Sequence, residues 1–87
     1  MAEYAIVIKK SAEKEISNLP LPIIEKLYQE FINLAQNPRP SGVKKLSGFK
    51  DLYRIHISNY RVIYSIQDNE LVIHVLKVGH RKDVYKF

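Results

Sequence analysis

Apolar and polar positions change period several times along this chain, and each change marks an element. Tyr4-Ala5-Ile6-Val7-Ile8 is an apolar run of strand length, closed by Lys9-Lys10. From Ser11 the spacing lengthens. Ala12, Ile16 and Leu19 fall on one helical face, Ser11 stands where a cap belongs, and Glu13 lies near the positive end. Pro20-Leu21-Pro22 breaks this short helix. A longer one is predicted from about Pro22, a residue suited to a first helical turn, to about Gln36. Its apolar positions Ile24, Leu27, Tyr28, Phe31, Leu34 and Ala35 keep the three-and-four spacing of a core-facing stripe. Asn37-Pro38-Arg39-Pro40-Ser41-Gly42 is a breaker cluster, and the stretch from Lys44 to Asp51 continues the loop.

The period then drops to two. Leu52 to Ile57 and Tyr60 to Ile66 both alternate, and Ser58-Asn59 has the length of a two-residue hairpin turn. Such a turn pairs Ile57 with Tyr60, His56 with Arg61, Ile55 with Val62 and Tyr53 with Tyr64, which collects the apolar pairs on one face. His56 and Arg61 share the other face, with Arg54 two residues along its strand. Gln67 to Glu70 forms a second tight turn into the apolar strand Leu71 to Val78, and Gly79 ends the pattern ahead of the tail His80 to Phe87. The same pairing count sets His74 beside Ile63. These elements predict an α+β fold with one N-terminal strand, two helices on one face of the sheet and an antiparallel three-strand meander. With no repeat, linker or low-complexity tract, residues 1–87 read as a single domain.

Composition narrows the function. At 46% apolar and 26% charged residues the chain is globular in character. A formal charge of +5 favours a polyanionic partner, whether nucleic acid, an acidic protein or a membrane surface. No apolar run is long enough to span a membrane and no signal-type segment follows Met1, so a cytoplasmic location and no membrane partner are expected. The absence of Cys removes disulfides, thiolate nucleophiles and cysteine zinc sites, and three scattered His give little support for a metal. The most informative feature is the hairpin. Like charges opposite each other on paired strands destabilise a sheet, so a basic cluster assembled there points to a bound anion.

The runs Leu52-Tyr53-Arg54-Ile55, Tyr60-Arg61-Val62-Ile63-Tyr64 and Val78-Gly79-His80-Arg81-Lys82-Asp83-Val84-Tyr85 follow two helices and a Lys-Lys-Leu-Ser-Gly loop. In that order they resemble the RelE/ParE family of toxins, and most of all its RelE branch. RelE-type toxins are ribosome-dependent endoribonucleases that cut messenger RNA in the ribosomal A site and are held inactive by a cognate antitoxin. The resemblance therefore implies the toxin of a type II toxin–antitoxin pair. Its partners would be a RelB-like antitoxin, in a heterodimer or heterotetramer, and the ribosome with its mRNA. The resemblance also implies the catalytic set Arg54, His56, Arg61, Arg81 and Tyr85. The RelE best known for this chemistry has Lys at both second-strand positions, where this chain has Arg54 and His56. The chain also stops two residues past Tyr85, where many relatives carry another helix.

The side chains suit that chemistry. Metal-free RNA cleavage uses the 2′-hydroxyl to attack the neighbouring phosphate, and needs a proton acceptor, charge stabilisation and a proton donor for the leaving 5′-oxygen. No cofactor is called for. Arg54, Arg61 and Arg81 stay charged and fork onto phosphate oxygens, but make poor bases. His56, with a reference pKa near 6.5 and cations beside it to favour neutral imidazole, is the first choice of base. Tyr85 can exchange a proton too, or stack on a nucleobase.

Structural readings stand beside these. Arg54 and His56 can be the solvated face of a half-buried strand, His74 a structural residue and His80 a surface one. Tyr53, Tyr60 and Tyr64 belong to the apolar face as core. Lys44, Lys45 and Lys50 are candidate RNA contacts in what is ordinarily a solvated loop, and the rim of the longer helix is a seat for an antitoxin helix. Two other functions remain: a ParE-like toxin that poisons DNA gyrase, against which the assembled basic set weighs, and an inactive member that only binds antitoxin.

Overall fold

The computed structural model describes residues 3–46 and 51–80. In chain order the elements are β1 (Ala5–Ile8), α1 (Lys10–Ser17), α2 (Leu21–Gln36), β2 (Lys44–Lys45), β3 (Leu52–Ile57), β4 (Tyr60–Gln67) and β5 (Val72–His80). The sheet order is β1-β5-β4-β3-β2. The α+β class and the antiparallel meander β3-β4-β5 are as expected. Two strands join it at its edges. β1 runs parallel to β5, with Ala5 opposite Val72 and Ile8 opposite Val75. β2 lies antiparallel to β3 where only a loop was expected.

Burial sorts as the periodicity predicts. Ala12 and Ile16 of α1 and Leu27, Phe31 and Leu34 of α2 pack on Ile55, Ile57, Val62, Tyr64, Ile66, Ile73, Val75 and Val78 of the sheet. A side chain of that size contributes roughly 1.5–3 kcal/mol when removed from water. Tyr64 is fully buried and its hydroxyl donates to the Pro38 carbonyl at 2.9 Å. Tyr28, at the margin of the α2 stripe, is 45% exposed and meets Phe31 edge-on.

Three local expectations are corrected. Lys9, not Ser11, is the N-cap of α1, and no side chain caps the helix. The Lys9 N–H still donates to Val75 across the sheet (2.9 Å) while its carbonyl accepts the first helical bond from Glu13 (2.9 Å), so the chain passes from strand to helix without a spacer. Next, the β4–β5 connection holds Asp68 to Leu71 rather than Gln67 to Glu70, since Gln67 still belongs to β4 and pairs with Val72. Leu71 takes the left-handed φ of 55° that this turn requires. The shifted connection sets His74 opposite Ser65, and a bulge between Ile63 and Tyr64 shifts the register again, so Ile63 lies opposite Lys77. Finally, β5 runs through Gly79 to His80 instead of ending at Val78.

Past Ile8, β5 outlasts its parallel neighbour. Glu15 of α1 closes that gap: its carboxylate accepts the Val78 backbone N–H (3.0 Å) and the Lys77 ammonium (3.3 Å). An edge donor that would otherwise need water is paired by a helix.

Candidate active site

The hairpin forms with the predicted register: Ile57 opposite Tyr60, His56 opposite Arg61, Ile55 opposite Val62, Tyr53 opposite Tyr64. Ser58 has a φ of 57° and is the only left-handed residue of the turn, as in a type II′ hairpin rather than type I′. Ile55 and Ile57 are buried on the helix side, which leaves Arg54, His56 and Arg61 on the opposite face. Arg54 and Arg61 are half-buried and His56 is exposed. That face is not uniformly solvated, because Ile63, across from Arg54, is fully buried on it and Ser65 is 9% exposed.

β2 enlarges the cluster. Lys44 pairs with Arg54 and so shares its face, whereas Lys45 pairs with Tyr53 on the helix side of the sheet. The two lysines are therefore not equivalent, a distinction that a loop reading could not make. Lys50, Arg81 and Tyr85 lie outside the described residues. Arg61 faces Gly79 on its other side, and beyond it the Tyr60 and His80 rings meet edge-on with centroids 5.8 Å apart.

Electrostatics follow from this packing. The His56 imidazole is held below its ordinary value, first by partial desolvation on the sheet and then by the positive charges of Arg61, Arg54 and Lys44. A neutral imidazole amid fixed cations can accept a proton, and the cations can hold a phosphate. Among the described residues no group of three or more His, Asp or Glu could hold a metal ion. The other conspicuous polar group lies elsewhere. Arg39 grips Asp68 through two bonds (2.9 and 3.2 Å), Tyr4 donates to the same carboxylate (2.7 Å), and the Arg39 guanidinium lies 5.3 Å from the centre of the Tyr53 ring. Sequence spacing carried no signal of this cluster, since its members come from four separate segments.

Residues 6–85 match the family described as ParE toxin of type II toxin-antitoxin system, parDE. The chain belongs to the RelE/ParE family. Its relatives point to the RelE branch. It is 34% identical to a putative RelE-like toxin protein of Escherichia coli, over 94% of this chain and 90% of that one. It is 31% identical to the mRNA interferase toxin RelE of E. coli K12, over 91% and 84% of the respective chains. In the archaeal RelE–RelB complex from Pyrococcus horikoshii, one chain superposes with a TM-score of 0.83 at 32% identity, covering 97% of this RelE-like chain and all of that one. The fold and the toxin family expected from the hairpin and tail motifs are thus the ones found.

Proposed function

We propose that this RelE-like toxin is an endoribonuclease that cleaves mRNA on the ribosome without a metal, by attack of a 2′-hydroxyl on the adjacent phosphate. The observation that carries the reading is the face on which Arg54, His56, Arg61 and Lys44 converge from three adjacent strands. On it, Arg54 and Arg61 hold the phosphate and stabilise its added charge, while His56 takes the 2′-hydroxyl proton. Arg81 and Tyr85 of the tail complete the set as leaving-group stabiliser and as proton carrier or stacking ring. The names of the relatives support RNA as the target, since the E. coli K12 protein is called an mRNA interferase.

The partner in this reading is a RelB-like antitoxin, as in the solved RelE–RelB complex of P. horikoshii. An open apolar cleft of about 470 Å³ between β1 and α2, lined by Ile6, Ile8, Tyr28, Phe31 and Ile32, gives an antitoxin segment a seat away from the basic face. A segment that is disordered alone and folds on binding can reach both surfaces. No helix among the described residues is long and apolar enough to cross a membrane.

The test is to add the purified protein to ribosomes translating a defined mRNA and map the ends produced. Cleavage within the A-site codon is expected. Arg61→Ala should lose most of it while keeping the wild-type melting temperature and antitoxin affinity. Intact mRNA together with inhibited DNA gyrase would instead carry the ParE-like reading, and antitoxin binding with neither activity would mark an inactive member.

A further inference from the structure

Lys44 reaches the basic face only because a two-residue strand, β2, is held beside β3, and two residues of ladder are too few to hold themselves. What holds the preceding loop is visible. The Pro38 carbonyl is tied to Tyr64 (2.9 Å), and Arg39 is fixed by Asp68 on one side and the Tyr53 ring on the other. A tight turn follows, closed by the Val43 N–H to the Pro40 carbonyl (3.1 Å) with Gly42 at a φ of 92°, and it delivers the chain into β2. Tyr53 is also the cross-strand partner of Lys45 and the chain neighbour of Arg54. Arg39 and Asp68 are 45% and 52% exposed, and an exposed pair of this kind contributes only about 0–1 kcal/mol to stability. Its convergent geometry therefore matters more for position than for folding energy.

We propose that Arg39 and Asp68 are positioning residues for the candidate active site: their clasp fixes the loop before β2 and so holds Lys44 against Arg54, where its charge meets the RNA phosphate. The role of Lys44 toward RNA rests on the function proposed above; the positioning does not, and the two can be tested apart.

The probe is the His56 imidazole, whose facing charges are Arg54 on its own strand, Arg61 on β4 and Lys44 on β2. Its titration is followed by NMR in the intact toxin. Lys44→Ala should raise the His56 pKa by removing a nearby cation. Asp68→Ala gives a test of sign. Loss of an anion acting at a distance would lower the His56 pKa, whereas release of Lys44 from its place should raise it, by most of the shift that Lys44→Ala causes. With Lys44→Ala already present, Asp68→Ala should raise it no further. Arg39→Lys, which keeps the charge but loses the fork, should give a smaller rise, and it serves as the second variant if Asp68→Ala is poorly folded. In mRNA cleavage both clasp variants should raise KM with little change in kcat. A His56 titration that moves down or stays put in folded Asp68→Ala and Arg39→Lys overturns the positioning. A toxin without RNA cleavage, but with the expected titration shifts, overturns only the proposed reaction.

Discussion

At the scale of single residues, the informative position is His56. Family resemblance places a basic side chain there, and the fold surrounds it with three cations without burying it. Its folded pKa lies below the unfolded value near 6.5. The neutral form is therefore favoured in the folded state. Its contribution to stability is fully present above about pH 6.5 and is lost as pH falls through that value toward the depressed one. The same depression sets the expected kinetics. Single-turnover cleavage should rise with pH through an inflection below about 6.5 and level off near neutrality. His56→Gln should cost about 10²–10⁴-fold in rate and abolish the inflection, whereas His56→Lys should keep activity and move it upward. A wild-type profile in His56→Gln would move the base elsewhere, with Tyr85 the next candidate. Asp68 titrates in a different range. Arg39 and Tyr4 hold its carboxyl down to about 2, so the clasp should survive all but strongly acid solution.

At the scale of elements, the sheet depends on contacts that no element makes by itself. Glu15 links α1 to β5 where β1 has ended, accepting the Val78 N–H beside a fully packed Val78 side chain. Glu15→Ala leaves that donor to water or unpaired, and a loss of about 1–3 kcal/mol is expected if water cannot reach it. Thermal melts and amide exchange at Val78 would measure it, and exchange faster at Val78 than at Val75 would place the loss at this edge. The hairpin is less dependent on its surroundings. Its two-residue turn and alternating flanks specify one register, because a slip by one residue would move every apolar side chain to the wrong face.

At the scale of the whole molecule, the two helices cover one face of the sheet and leave the other to carry the basic residues. Adjacent positions on β4 should therefore respond oppositely to substitution. Val62 is fully buried among Ile55, Val78 and the helices, while Arg61 looks out from the other face. Val62→Asp buries an unpaired carboxylate at a cost of several kcal/mol, a large part of the roughly 5–15 kcal/mol that holds a typical domain together. It should abolish cooperative unfolding by circular dichroism, whereas Arg61→Ala should melt like the wild type. Equal destabilisation by both would remove the two-faced sheet from the account.

The sequence by itself determined what depends on neighbours along the chain. Period and turn length were enough to set the β3–β4 register, the core stripe of α2 and the face shared by Arg54, His56 and Arg61. Resemblance in the hairpin and tail motifs was enough for the family. Tertiary structure decided the rest. The parallel pairing of β1 with β5 joins opposite ends of the chain and leaves no local mark in either segment. The four-residue β4–β5 connection, in which Leu71 adopts a backbone conformation that its residue type does not advertise, moved His74 from Ile63 to Ser65, and the bulge beyond it set Ile63 opposite Lys77. The division between Lys44 and Lys45 is of the same kind. Identical side chains acquire opposite faces only when β3 supplies the hydrogen bonds that make them a strand, and hydrogen bonding between distant segments is what local periodicity cannot encode.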